Sequence, residues 1–148
     1  MEKIYEVKTL EEAKSEAVKD FELPVTDISF EVLKETKGFL GIGAKMEVKA
    51  SVVVDGIEQG KKYIKTILDN NGVQGFIEKK VRGNNVEFNI DTEDFNGYLI
   101  GHNSRNLIAL QTIVSIIVNR YYDEENKKIV LVDVGGYKKK REKSTYMS

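Results

Sequence analysis

Residues 101–105, Gly-His-Asn-Ser-Arg, place a glycine, small polar side chains and one cation between two apolar segments. A glycine lets a backbone turn approach a sugar–phosphate chain closely, and the N–H groups that begin a helix can bind phosphate oxygens. Arg105 would add a salt-dependent attraction to the same phosphates. The pattern has two interpretations: a phosphate-binding loop, or a corner in which Gly101 ends one helix and Asn103 or Ser104 caps the next.

His102 is the only histidine of the chain, and the chain contains no cysteine. This composition excludes disulfides, thiolate zinc sites, cysteine nucleophiles and relays of two histidines. Asp91, Glu93 and Asp94 lie close together but do not follow the spacing of a calcium loop, so a solvated turn with a helix cap is the favoured interpretation. The sequence therefore predicts no catalysis, no metal site and no cofactor.

A second glycine-rich stretch, Lys37-Gly-Phe-Leu-Gly-Ile-Gly-Ala-Lys45, lacks the Gly-Lys-[Ser/Thr] ending of a nucleotide-binding loop. Its apolar residues are unsuited to an open phosphate cradle. The stretch is more typical of a hairpin connection with an apolar tip. Phe39 and Leu40 at that tip are candidates for contact with another protein.

The charge of the chain is unevenly distributed, although 23 Lys+Arg almost balance 24 Asp+Glu over 148 residues. Residues 137–148 contain five basic and one acidic side chain, a net charge of +4, and the other 136 residues have a net charge of −5. Such a basic end is either a solvated helix start or a phosphate-binding element. The candidate residues for phosphate contact are Lys138, Lys139, Lys140 and Arg141.

The overall composition is that of a globular protein, with 41% hydrophobic residues. No apolar run is long enough for a membrane span, and the N-terminus lacks a signal-peptide pattern. Together with the absence of cysteine, these features predict a cytoplasmic protein.

The elements that must position the loop follow from hydrophobic periodicity, which predicts an α+β fold of two small units. Residues 1–54 form a β-α-β-β unit, whose helix begins with the capping-box pair Thr9 and Glu12. Residues 55–136 form an α-β-β-α-α-β unit, in which 101–104 connect a short helix to a long helix over 105–121. The last strand, 129–134, is almost continuously apolar and is expected at the centre of its sheet.

Residues 55–136 resemble a type II KH domain, because their elements follow in the same order and the loop falls where such a domain has its Gly-x-x-Gly clamp. The segment Leu99-Ile-Gly101, the helix over 107–120 and Gly136-Tyr-Lys-Lys-Lys-Arg141 are similar to the Jag family, the SpoIIIJ-associated RNA-binding proteins of bacteria. Lys37-Gly-Phe-Leu-Gly-Ile-Gly43 and the preceding helix resemble the N-terminal domain of that family.

The chain departs from the family pattern at two positions. The fourth clamp residue is Ser104 rather than glycine, and its Cβ obstructs close approach of a phosphate. Thr145 stands where a C-terminal Arg-x-x-x-His domain would have its histidine after Arg141. Residues 137–148 are therefore expected to be a basic tail, the start of a domain that this chain does not include.

The resemblance implies a bacterial adaptor that binds single-stranded RNA through residues 101–105 and the basic tail, and proteins through the N-terminal unit. It also implies pairing with a second small KH protein and a link to sporulation, cell elongation or membrane-protein insertion. The alternative is an interaction scaffold whose KH unit forms homo-oligomers and has little RNA affinity. The serine in the clamp, the acidic body and the broad apolar face of helix 105–121 favour that alternative.

Overall fold

The computed structural model of the chain describes residues 1–39 and 42–138. The chain divides into two compact units, one formed by Met1–Asp55 and one that begins at Gly56. Each unit contains a three-stranded sheet with helices, so the predicted α+β class is confirmed. None of the helices in the described ranges is long and apolar enough to cross a membrane.

The first unit has the predicted β-α-β-β order: β1 (Glu2–Val7), α1 (Leu10–Phe21), β2 (Ile28–Thr36) and β3 (Lys45–Val52). Its strands are antiparallel in the order β1-β3-β2. The predicted N-cap Thr9 of α1 is confirmed, whereas the return bond of Glu12 reaches the residue before the N-cap instead of the N-cap itself. The Glu12 N–H donates to Thr9 Oγ1 at 3.2 Å, and the Glu12 carboxylate accepts from the backbone N–H of Lys8, also at 3.2 Å.

Asp20, near the end of α1, connects this helix to β1. Its carboxylate accepts hydrogen bonds from Lys3 Nζ and from the Tyr5 hydroxyl, each at 2.8 Å. These two donors, Lys3 first, hold the pKa of Asp20 below its usual range. Burial and the neighbouring carboxylate raise the pKa of Tyr5 well above its usual range, so the phenol remains a donor.

The second unit has the predicted α-β-β-α-α-β order, with a sheet in the order β4-β5-β6. Strands β4 and β5 are antiparallel, whereas β5 and β6 are parallel. Gly83, with φ +58°, occupies the turn between β4 and β5. The elements are α2 (Gly56–Asn70), β4 (Gly75–Arg82), β5 (Asn85–Thr92), α3 (Asn96–Ile100), α4 (Arg105–Asn119) and β6 (Ile129–Val134).

The core of this unit lies between the sheet and the helices α2 and α4. The two helices approach closely at Gly60, where an added Cβ would lie 2.6 Å from Val118 Cγ2. This glycine is therefore required by helix packing rather than by a turn. The fully buried members of the core include Phe88, Ile64, Ile90, Leu107, Val114, Val118 and Val132.

The expected central position of β6 is wrong, because β5 is the central strand and β6 lies at an edge. Two of the apolar residues of β6, Ile129 and Leu131, are exposed on the face away from the core. The backbone N–H groups of Val132 and Val134 are nevertheless bonded, to Gln111 Oε1 at 3.0 Å and to Asp133 Oδ1 at 2.9 Å. Side-chain oxygens thus accept the backbone hydrogen bonds that a neighbouring strand would have accepted if β6 were central.

Candidate nucleic-acid interface

The loop begins at Gly101, which ends α3 as predicted. The Gly101 N–H donates to the Gly97 carbonyl at 2.9 Å, and its φ of 73° with ψ of 176° is a conformation accessible essentially only to glycine. A Cβ at this position would also lie 2.8 Å from Asn106 Cγ. Both the backbone conformation and the packing therefore require glycine here.

The Asn106 side chain occupies the space beside Gly101. Its Nδ2 donates to the Tyr98 carbonyl at 2.7 Å, which satisfies one of the last carbonyls of α3. The Asn106 side chain thus links the start of α4 to the end of α3 by a hydrogen bond. In consequence, the face of Gly101 on which a side chain would stand is filled by protein and is not open to a ligand.

Asn103 and Ser104 both have left-handed backbone conformations, with φ of 53° and 62°. Ser104 occupies the N-cap position of α4, as one of the two predicted alternatives, but its side chain makes no capping hydrogen bond. Ser104 is buried instead, and its hydroxyl donates to the Tyr137 hydroxyl at 2.9 Å. This contact spans 33 positions of the sequence, and it is not a local capping contact.

His102, Asn103 and Arg105 are exposed, in contrast to Ser104 between them. Among the residues that the structure describes, no carboxylate lies within salt-bridge distance of the Arg105 guanidinium. The loop therefore presents one unpaired cation and two polar side chains to solvent.

The structure joins this loop to the beginning of the basic tail. Tyr137 bonds to Ser104, and the next residue, Lys138, donates from Nζ to Gln111 Oε1 and from its backbone N–H to Asp133 Oδ1 at 2.9 Å. The loop and the start of the tail, which the sequence predicted as separate sites, therefore lie side by side. Lys139, Lys140 and Arg141 lie outside the described residues.

Polar side chains connect α4 to the region of β6 beyond this junction. Successive residues on one side of α4 bond to the β6 region: Ser104 to Tyr137, Gln111 to Val132, and Asn119 to Lys128. Ile108, which follows Ser104 by one helical turn on this side, is 60% exposed. This side of α4 therefore combines an exposed apolar side chain with polar groups.

The glycine-rich stretch of the first unit forms the end of the β2–β3 hairpin. The Ile42 N–H donates to the Phe39 carbonyl at 3.0 Å, and the two side chains are 79% and 82% exposed. Leu40, the other predicted contact residue, lies outside the described residues.

The acidic residues before α3 form a turn rather than a cation site. Asn96 Nδ2 donates to Asp91 Oδ1 at 3.0 Å, while Asn96 Oδ1 accepts from the Thr92 N–H and hydroxyl, both at 2.8 Å. Thr92 Oγ1 in turn accepts from the Phe95 N–H at 3.0 Å. In the described part of the chain, no group of three His, Asp or Glu side chains is arranged to hold a metal ion.

Three residues that link the loop, α4 and β6 were not predicted from the sequence: Asn106, Gln111 and Asp133. Asp133 follows an apolar run, and a carboxylate at the end of such a strand was the one available signal. The roles of the two amides depend on contacts between distant elements.

Residues 5–53 match the model of the family described as Jag N-terminus. The chain is 29% identical over 140 residues to the RNA-binding protein KhpB of Bacillus subtilis (strain 168), covering 93% of this chain and 66% of that protein. It is 26% identical over 141 residues to the RNA-binding protein KhpB of Clostridium symbiosum, covering 93% of this chain and 62% of that protein.

These comparisons confirm the recognised resemblance. The chain has a Jag N-terminal domain and is homologous to KhpB proteins over most of its length. It spans just under two thirds of the length of the two relatives.

Proposed function

We propose that this chain is a cytoplasmic, non-enzymatic RNA-binding adaptor of the Jag type, with a KH-like second unit. Single-stranded RNA binds at Gly101, His102, Asn103 and Arg105, and the path continues to the basic tail. The observation that supports this proposal most directly is the Ser104–Tyr137 hydrogen bond, which places the start of the tail beside the loop. Both KhpB relatives are RNA-binding proteins by name, which agrees with an RNA partner.

In this proposal the cations bind phosphates, and bases lie against the exposed side of α4 that carries Ile108. Arg105 is unpaired in the described structure, and the Lys138 ammonium retains N–H donors beyond the one that bonds Gln111. Ile108 offers an apolar surface to a base, and Lys139, Lys140 and Arg141 extend the positive charge. Because Asn106 fills the side of Gly101 and Ser104 replaces a glycine, the affinity is expected to be modest.

The loop variant Ser104→Asp with Arg105→Ala is expected to weaken RNA binding about tenfold or more, because it adds one negative charge and removes one positive charge at the phosphates. Fluorescence anisotropy with random single-stranded RNA at low salt measures the effect. The matched control, Ser15→Asp with Lys19→Ala, makes the same changes on exposed positions of α1 and should leave affinity unchanged.

A second variant changes the same position of the loop without adding a charge. Ser104→Gly restores the glycine at a φ of 62° and removes the bond to Tyr137. It should bind RNA at least as tightly as the parent chain, with an unchanged circular-dichroism spectrum. Equal affinity of the loop variant and the parent would contradict a role of the loop.

A second candidate function is a protein-interaction scaffold that pairs with a second copy or with another small KH protein. Exposed apolar residues favour it: Ile108 and Ile116 on α4 are 60% and 61% exposed, and Phe39 and Ile42 end the hairpin of the first unit. An adaptor in cell elongation, sporulation or membrane-protein insertion would use such surfaces for its protein partners.

If the scaffold function holds, the parent chain should self-associate or bind a small KH partner in multi-angle light scattering. Ile108→Glu with Ile116→Glu is expected to abolish this association, because it charges the exposed face of α4. Phe39→Ser with Ile42→Ser tests the hairpin tip in the same way. A monomer at high concentration that binds no small KH protein would exclude this function.

A further inference from the structure

The charges of the second unit are unevenly distributed along its sequence. Residues 56–82, which form α2 and β4, contain six basic and three acidic side chains, a net charge of +3. Residues 83–138, which include the loop and β6, contain five basic and eight acidic side chains, a net charge of −3. Strands β4 and β6 are the opposite edges of this sheet.

Only two of the six basic side chains in α2 and β4 form ion pairs with carboxylates of the same range. Lys79 pairs with Glu58, and Lys80 lies 3.8 Å from Glu78, so these pairs neutralise two of the three carboxylates. Within the described ranges, the remaining cations have no salt-bridge partner; they are Lys61, Lys62, Lys65 and Arg82.

Two of these cations, Lys61 and Lys65, line a groove of about 420 Å³ between α2 and the start of β4. They are one helical turn apart, about 6 Å along the helix axis. Leu68, Val73 and Ile77 provide apolar lining, and Asp69 is the one carboxylate that lines the groove.

Phe76 lies at the other side of the same groove. It is the second residue of β4, lines the groove and is 68% exposed. The exposed ring offers a flat aromatic surface to a ligand in the groove. Gln74, also in the lining, adds amide donor and acceptor groups.

We infer that the α2–β4 groove, defined by Lys61, Lys65, Gln74 and Phe76, is a second binding site for single-stranded nucleic acid. Lys61 and Lys65 bind neighbouring phosphates, and one base stacks on Phe76. Cations along a backbone path combined with an aromatic stacking surface are the features by which proteins bind single strands without strong sequence preference.

The aromatic ring favours a nucleic acid over an acidic peptide as the occupant. Two lysines alone would attract either ligand, but every nucleobase offers a flat π-face to Phe76, whereas acidic side chains offer none. The single carboxylate at the groove, Asp69, leaves one net positive charge among the lining residues for the phosphates.

This inference rests on the proposed RNA-binding function and adds a contact surface to it. The test uses the full chain and a fluorescein-labelled oligouridylate of about 12 nucleotides, within the usual range for single-strand sites. Lys61→Gln with Lys65→Gln should reduce the magnitude of the slope of log K against log salt by about 1.4, or 0.7 for each phosphate contact. Phe76→Ala should weaken binding about fivefold to a hundredfold, the effect of losing one stacked base.

The control Lys8→Gln with Lys19→Gln removes the same charge from exposed positions of the first unit and should leave the slope unchanged. A parent-like slope for the α2 variant together with parent-like affinity for Phe76→Ala would overturn the inference. Equal weakening by the Lys8 and Lys19 control would also overturn it, because the effect would then be one of net charge.

The loop variant distinguishes this inference from the proposed function. Binding that is lost with Lys61→Gln and Lys65→Gln but retained with Ser104→Asp and Arg105→Ala supports the groove and contradicts the loop. Binding lost only with the loop variant supports the loop and overturns the groove. An acidic peptide that competes fully with the oligouridylate, or absence of any binding by the parent chain at low salt, overturns the groove proposal.

Discussion

Replacement of Phe88 by alanine is expected to lower the free energy of unfolding of the second unit by about 3–5 kcal/mol. Phe88 lies on the central strand β5 and is completely buried. Its ring is beneath the closest approach of α2 and α4, since a Cβ on Gly60 would be 3.4 Å from Phe88 Cζ. Two helices already in contact at Gly60 have little room to move inward, so a cavity should remain.

Urea unfolding followed by far-ultraviolet circular dichroism measures this loss. Phe76→Ala is the matched control, because it makes the same substitution on the neighbouring strand at a side chain that is 68% exposed. It should change the free energy of unfolding by no more than about 0.5 kcal/mol. Similar losses for the two variants would show that the packing of Phe88 is not what stabilises this unit.

Gly101→Ala is expected to destabilise the second unit by about 1–3 kcal/mol, because its backbone lies in a region that side chains avoid. The new Cβ would also meet Asn106 Cγ at 2.8 Å and would disturb the Asn106 bond to the Tyr98 carbonyl. RNA binding should weaken together with stability, since the loop would shift. Thermal unfolding and the anisotropy titration measure the two effects.

Gly97→Ala is the control for this substitution. Gly97 lies in α3 four residues before Gly101, and nothing stands within 4 Å of a Cβ added there. Alanine is a better helix former than glycine by about 1 kcal/mol, so this variant should be neutral or slightly stabilised. If Gly101→Ala behaved in the same way, the strained loop geometry would be wrong.

Most of the fold could be predicted from local signals. Thr9 caps α1 and Gly101 ends α3 as predicted, because each role depends on residues a few positions away. The α+β class and the element order followed from periodicity, which reports the buried face of each element.

The wrong predictions concern residues whose structure depends on contacts between distant elements. An apolar run such as 129–134 indicates a strand buried on both faces, but Ile129 and Leu131 are exposed in an edge strand whose amides are bonded to side chains. Ser104 is a good capping residue by type, yet its hydroxyl bonds to Tyr137 instead. No local pattern contains that partner.

The candidate site was also predictable only where its features depend on neighbouring residues. The positions of Gly101, His102, Asn103 and Arg105 in an interhelical loop could be predicted, whereas the attachment of the tail through Tyr137 and Lys138 could not. The α2–β4 groove was not predicted either, because its lysines and Phe76 belong to separate elements that only packing brings together.

The parallel pairing of β5 with β6 has a consequence for the order in which the chain folds during synthesis. The second sheet is complete only when β6 has left the ribosome, because Val130, Val132 and Val134 supply buried core side chains. The first unit has all its strands once Val52 has emerged. We therefore expect the first unit to fold co-translationally, before β6 has been synthesised. During that interval the apolar faces of α2 and α4 are not yet covered by the complete sheet and are exposed to chaperones.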